Sequence, residues 1–325
     1  MTPTRLFLAA AAIVAAAPLA SATAQSQALD LTVNNVGVGI GHVRRVTGIR
    51  LNYRDREDFD VRGINATIWT PEGEPRGTVT GLALGLPMTG AARITGIGAG
   101  IFGVSAAERV TGIGVGGIGI GAGERLDGIM VGGIGVGSGG DVTGLTLGGI
   151  GVGSGGSLRG VSVGGVGVGT GGELSGLAIG GIGVGTGGDV TGLSIGGVGV
   201  GSGGDITGLT VAGIGIGSGA TLRWVSVAGI GIGAPRIEGL AVAGAVGAEN
   251  AKGVIIAPGY MRIDHGTFTG ASLSAFNHIK GTQHGLTLGV VNYTHRLHGV
   301  QLGLLNYVRE NRAPFRLLPL VNWGR

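Results

Sequence analysis

Few side chains in this chain can do chemistry, and only two sets recur at a spacing that could bring them together. Asp141, Glu173, Asp189 and Asp205 fill one slot, three positions before a recurring glycine, and Ser157 and Thr221 fill the same slot. Carboxylates stacked in glycine-rich turns are the ligands of calcium β-rolls. Those rolls are built on nonapeptides, whereas the slot here recurs at every sixteenth position and is interrupted by serine and threonine. It reads as turn chemistry, with no metal assigned. The second set is His284 and His298, which hold the same place in two successive units, with His295 nearby. Stacked imidazoles can hold a transition metal. No carboxylate completes the set at a ligand spacing and the chain has no cysteine, so these read as rim histidines, again without a metal.

A catalytic reading finds little support. There is no histidine from Val43 to Asp264, and the serines and threonines there sit in repeated turns, not beside a base. Hexapeptide acyltransferases are repeat proteins too, but their apolar column follows a hexapeptide period, which this unit does not match. Gly-x-Gly-x-x-Gly matches are unavoidable with 77 glycines in 325 residues and carry no nucleotide signal. The expectation is a non-enzyme with no catalytic, metal or cofactor-binding residue and no cofactor.

The elements that hold these residues follow from a repeat. Glycine recurs at Gly48, Gly63, Gly81, Gly96, Gly112, Gly128, Gly144, Gly160, Gly176, Gly192 and Gly208, then Trp224 takes the slot, then Gly239, Gly253, Gly270, Gly285 and Gly299. From Gly96 to Trp224 every step is 16. Nearly half of the unit Asp141 to Gly156 is glycine. Each glycine would cost a helix about 1 kcal/mol relative to alanine, so a helix is excluded. The apolar residues of the unit form two pairs of opposite parity, Leu145 with Leu147 and Ile150 with Val152. This predicts two short strands, with the parity break at Gly148-Gly149 and both pairs facing a common interior. The Gly-Ser-Gly-Gly and Gly-Thr-Gly-Gly bends read as turns that need positive φ.

A lone unit cannot bury its apolar face, and stacked units can. Stacking places Leu145 over Val161, Leu177, Leu193 and Leu209, and Ile150 over Val166, Ile182, Val198 and Ile214. The predicted fold is all-β: a parallel β-solenoid of about 17 short rungs with a 16-residue period and a two-sheet cross-section. The alternative is an outer-membrane β-barrel. A barrel strand needs one apolar parity over about 10 residues and aromatic girdles. The unit lacks the first, and no aromatic residue lies between Gly103 and Arg223.

Composition fits an ordered repeat. Charged residues are 12%, hydrophobic residues 43% and mean hydropathy is +0.45, the reverse of a disordered chain. Glycine without a three-residue period excludes collagen. The net charge of +4 comes without a basic run, so no nucleic-acid partner is expected. Residues 1–24 read as a signal peptide, with Arg5, an alanine-rich apolar stretch and the Ala22-Thr23-Ala24 cleavage site. Residues 25–80 read as a charged N-terminal cap and first irregular rungs. Their run from Tyr53 to Asp60 mixes both signs and reads as a solvated loop or a cap over the first rung's edge. Residues 81–253 are the regular solenoid, and 254–325 are irregular C-terminal rungs with a cap.

In that last part His284-Gly-Leu-Thr-Leu-Gly-Val-Val-Asn292-Tyr293 is echoed by His298-Gly-Val-Gln-Leu-Gly-Leu-Leu-Asn306-Tyr307, and Pro319-Leu-Val-Asn322-Trp323 is a third echo. Stacked asparagines are expected to form an amide ladder. The pattern resembles the Gly-Leu-Gln-Leu-Gly-Leu-Val-Asn repeat of a bacterial surface-repeat family found in leptospires and other Gram-negative bacteria. The resemblance is close over residues 281–325 and implies an exported protein without catalytic residues. The expectation is therefore an exported, glycine-rich protein of the periplasm, outer membrane or cell surface, structural or adhesive in role. Its partners would be an envelope or surface component or a second copy, and the mature chain has no transmembrane helix. The alternative is a flat-surface binding module for glycan, ice or itself. Outward-facing Gly149, Gly151 and Gly153, repeated rung after rung, would form its surface.

Overall fold

The computed structural model describes residues 28–56, 58–73 and 76–324. The expected leader lies outside these residues. They form strands and turns with no helix, and nearly every strand pairs in parallel with its equivalent one rung away. In the regular part each rung supplies two strands, such as Asp141–Gly148 and Gly151–Ser154. Leu145 pairs with Val161, Val161 with Leu177, Leu177 with Leu193 and Leu193 with Leu209, as the spacing requires. The short strands keep the same register, Val152 beside Val168 and Val136. The chain is a β-solenoid and not a barrel.

The long strand is creased at its recurring glycine. Gly144 has φ +118°, and every recurring glycine from Gly48 to Gly299 has positive φ. A Cβ placed on Gly98 would lie 3.6 Å from Ile94 Cγ2, four positions back, whereas a straight strand separates such residues by about 13 Å. The crease gives the rung three outer sides. The first carries the Asp141 and Thr143 columns. The second carries Leu145, Leu147 and the corner residue Ile150. The third carries Gly151 and Gly153.

Glycine serves the corners in another way than expected. Gly149, Gly155 and their equivalents do not have positive φ. A Cβ there would overlap the carbonyl oxygen of the rung before, Gly133 for Gly149 and Gly139 for Gly155. Close approach of backbones, not handedness, demands the missing side chain.

The facing assignment is also corrected. Val142, Thr146 and Gly148 point inward with Val152 and Ser154, and all are buried. Leu145 and Leu147 are half-buried on the outside, and Ile150 is 53% exposed. A Cβ on Gly148 would already overlap the Gly151 carbonyl across the corner, so space beside it is short. Small side chains, Thr146, Ser162, Ala178, Ser194, Thr210 and Ser226, fill that column in consecutive rungs, Met130 and Ile255 enter it on either side of them, and Leu145 and Leu147 are turned out. The hydroxyls of Ser162, Ser194 and Thr210 find no hydrogen-bond partner among the described residues.

The ends are finished differently. Leu29–Val33 pairs antiparallel with Val36–Ile40 at the start, and Leu317–Gly324 pairs antiparallel with Val291–Val308 at the finish. The mixed-charge segment near the start is not simply solvated. Arg50 and Asp55 are fully buried and paired at 3.2 Å. Asp55 also accepts from Asn52 and Asn65, each at 3.0 Å, and from Thr67 at 2.8 Å. This polar knot fills the first rungs; Ala83, Gly98 and Gly114 follow Arg50 and Asn65 in one column, and Gly85 and Gly100 follow Asn52 and Thr67 in the other. Burial pulls the Arg50 guanidinium below its ordinary pKa, and Asp55 opposes that shift.

Candidate functional site: the outward sides of the rod

The first side gathers the carboxylates. Asp141 Oδ1 accepts the Ser157 amide at 2.8 Å, Asp189 Oδ1 the Asp205 amide at 2.8 Å, and Asp205 Oδ1 the Thr221 amide at 2.9 Å. Asn250 does the same for Thr267 at 3.0 Å. Each satisfies the equivalent amide one rung on, which is the turn role expected of the slot. Arg223 reaches Asp205 and holds its carboxyl below the usual carboxylate range, with burial acting against it. His284 and His298 stack, ring centroids 4.8 Å apart and planes 8° from parallel, and both are exposed. His295 turns away to Tyr293 and Arg309. Among the described residues no group of three or more histidines, aspartates and glutamates is placed to hold a metal ion.

The second side is aliphatic throughout. In the Leu145 column every residue from Ile49 to Val300 is Ile, Leu, Val or Ala, and the same is true from Leu51 to Leu302 in the Leu147 column. The corner column adds Ile134, Ile150, Val166, Ile182, Ile214 and Ile230, between 46% and 65% exposed. Toward the first rungs, Leu51, Leu84, Leu86 and Ile101 border a groove of about 600 Å³. At the crease one non-glycine appears: Trp224 holds φ 80° and is 70% exposed.

No family model, curated protein or solved structure matches this chain.

The third side is bare glycine through the regular rungs. At Gly121, Gly153, Gly185, Gly201 and Gly217 a Cβ would meet nothing within 4 Å, and none has positive φ. Toward the C-terminus the same columns change to rings. Tyr260 pairs with Phe276, Arg262 with His278 and His278 with Tyr293. Tyr293 stacks on Tyr307, centroids 5.4 Å apart and planes 6° from parallel. Farther along the ladder His278 meets Tyr293 edge-on at 84°, and Tyr260 is tilted against Phe276 at 54°. Tyr260 O–H lies 2.8 Å from His278 Nδ1, and burial lowers the His278 pKa, with Lys280 and Arg262 adding to the shift.

Sequence reasoning missed this aromatic ladder and the aliphatic outer side. The ladder had a signal. Gly-Val-Gly becomes Tyr260-Met-Arg262, Phe276-Asn-His278 and Val291-Asn-Tyr293 in equivalent positions. No helix among the described residues is long and apolar enough to cross a membrane.

Proposed function

We propose that this chain is an exported, non-catalytic rod of the bacterial envelope or cell surface, with a structural or adhesive role. The carrying observation is the repetition of its outer sides. Rung after rung presents the same residue class, aliphatic on one side and glycine on another, so the contact on offer is long and periodic. The leader-like residues 1–24 and the repeat resemblance at the C-terminus support export. The test is protease shaving of intact cells, with this chain detected before and after. Loss of the chain from intact cells is expected. Cleavage only after cell lysis would overturn the surface location, and recovery in the cytosolic fraction would overturn export.

A second reading, docking of a flat partner on the glycine side, is favoured by one observation. The fold does not need glycine at Gly153, Gly185, Gly201 or Gly217, since a Cβ there meets open space. Close approach of another surface supplies a reason that the fold does not.

A further inference from the structure

We infer that the C-terminal tip of the rod binds an acidic glycan, one sugar of which sits in the pocket between the closing strand Leu317–Gly324 and the turn before it. The inference takes up the adhesive half of the proposed function and rests on that reading for its setting, while the pocket itself stands on geometry.

The first argument is an acceptor left over. Asn311, Arg312, Phe315, Leu318, Asn322 and Trp323 line a cavity of about 400 Å³ at the last rung, within the roughly 300–1,000 Å³ of small-ligand pockets. Asn322 is 1% exposed. Its Nδ2 donates to the Asn306 carbonyl at 3.4 Å and to the Phe315 carbonyl at 3.2 Å. Two carbonyl oxygens call for the NH2 end, so the amide is fixed in this sense. Its Oδ1 accepts nothing among the described residues. In the rungs before, the same atom is always taken. Asn277 Oδ1 accepts from Ser272, Asn292 Oδ1 from Asn277, and Asn306 Oδ1 from Asn292. The series stops at Asn306 because the closing strand runs antiparallel and sets Asn322 beside Gln301. Asn306 Nδ2 goes instead to the Gly303 and Leu318 carbonyls. A buried acceptor without a donor is a standing cost that a ligand hydroxyl removes.

The second argument names the ligand class. Phe315 and Trp323 bring ring surface to the pocket and are 54% and 62% exposed. Asn311 Nδ2 holds the Phe315 carbonyl at 3.2 Å, which fixes the turn that carries the first ring. Ring surface beside hydrogen-bonding amides suits a molecule with an apolar face and a polar rim. A pyranose is such a molecule, with C–H bonds on its faces and hydroxyls around its edge. The turn is also cationic. Arg309, Arg312 and Arg316 share it with one acid, Glu310, and Arg296 takes that acid at 2.7 Å. Arg309 turns to His295 and Arg316 to the Asn311 carbonyl. Arg312 lines the pocket and has no hydrogen-bond or ion-pair partner among the described residues. A free guanidinium matches a carboxylate with two parallel hydrogen bonds. The sugar that answers all three features carries a carboxylate: a uronate gives a hydroxyl to Asn322 Oδ1, its carboxylate to Arg312 and its apolar face to the rings.

A peptide added as a further strand fits this end less well. The closing strand carries Pro319, which has no N–H to offer, and Leu320 at φ 65°, which breaks the extended backbone. Such an edge is blunted against strand addition.

The test is calorimetric titration of the purified protein with two tetrasaccharides, one from hyaluronan, which carries glucuronate, and cellotetraose, which has no carboxylate. The hyaluronan fragment should bind, and cellotetraose should bind about tenfold more weakly. Trp323→Ala should weaken the acidic ligand about tenfold, and Arg312→Gln should bring it down to the level of cellotetraose. Both residues are exposed, so thermal midpoints should not move. Acetate and phosphate should not displace the tetrasaccharide, and displacement by either at equal concentration would reduce the pocket to a general anion site. Equal binding of the two tetrasaccharides would overturn the acidic class. Absence of binding by both, or binding that survives both substitutions, would overturn the site. Binding by the purified protein together with a chain that protease cannot reach on intact cells would leave this site standing and sink the surface location alone.

Discussion

Asn292 donates through Nδ2 to Asn306 Oδ1 at 2.7 Å, and neither side chain is exposed. Asn277 donates to Asn292 in the same way at 2.7 Å, and the Asn277 and Asn292 amides also reach the Leu288 and Leu302 carbonyls, each at 3.0 Å. This ladder occupies the column that valine fills in the regular rungs. Asn292→Ala should lower stability by about 2–3 kcal/mol, because it orphans buried groups on both sides. Replacing Asn277, Asn292 and Asn306 together by valine should cost less than Asn292→Ala alone. Denaturant midpoints of the two proteins decide this, and a triple variant weaker than the single one would contradict it.

Facing can be tested at two adjacent residues. Ala178 is fully buried and Leu177 half-buried on the outer side. Ala178→Asp should put an unpaired carboxylate inside and cost several kcal/mol. Leu177→Asp should leave the fold intact. Equal thermal midpoints would refute the assignment.

The crease glycines and the glycine side should respond oppositely to a methyl group. Gly192 has φ +120°, and its Cβ would overlap the Gly176 carbonyl. Gly201 has open space. Gly192→Ala should destabilise strongly, whereas Gly201→Ala should stabilise by about 0.5–1 kcal/mol. Trp224→Gly should relieve its positive φ and raise the thermal midpoint. Gly199→Thr, with Gly215's oxygen 3.5 Å from the new Cβ, should preserve the β-rich circular dichroism. Any loss of adhesion in that variant would then report docking on the glycine side.

Stability should fall in two steps as pH is lowered. Burial lowers the His278 pKa, so the unfolded chain takes up that proton first. The first loss should begin near the ordinary histidine value of about 6.5 and end at the lowered folded value. His278→Gln should remove this step. Asp205 is held low chiefly by its hydrogen bond from Arg223. Its contribution is complete above the ordinary value of about 4 and is lost as pH falls through the folded value. Thermal midpoints across pH 3–8 would show both steps, and an unchanged first step in His278→Gln would assign it elsewhere.

Register was legible in the sequence because the period is constant: once Gly144 aligns with Gly160, Leu145 must lie beside Val161. Facing was not, because alternation gives parity without sign. Leu145 and Leu147 looked like core by hydrophobicity, but the inward places of the rung go to the other parity, Val142 and Thr146, with Leu158, Leu174 and Leu222 following in the Val142 column. The glycines were read as turn residues by type. Only coordinates separate Gly144, which needs positive φ, from Gly149, which needs the absence of a Cβ. The asparagine ladder was legible because Asn292 and Asn306 recur at the repeat spacing. The Arg50–Asp55 knot was not, because a run of mixed charge reads as solvated unless one knows that Asp55 turns inward to meet Arg50.

The antiparallel strands that close the two ends make length a heritable variable. Removing residues 157–172 would join Gly156 to Glu173 and bring the Asp141 carboxylate to the Glu173 amide, the junction that Asp141, Asp189 and Asp205 make with the rung that follows them. Unequal recombination within the repeat can therefore lengthen or shorten the rod in whole rungs without disturbing either terminus. Natural variants should differ by whole repeat units between the same two ends, like a ruler whose marks are copied and whose caps are not.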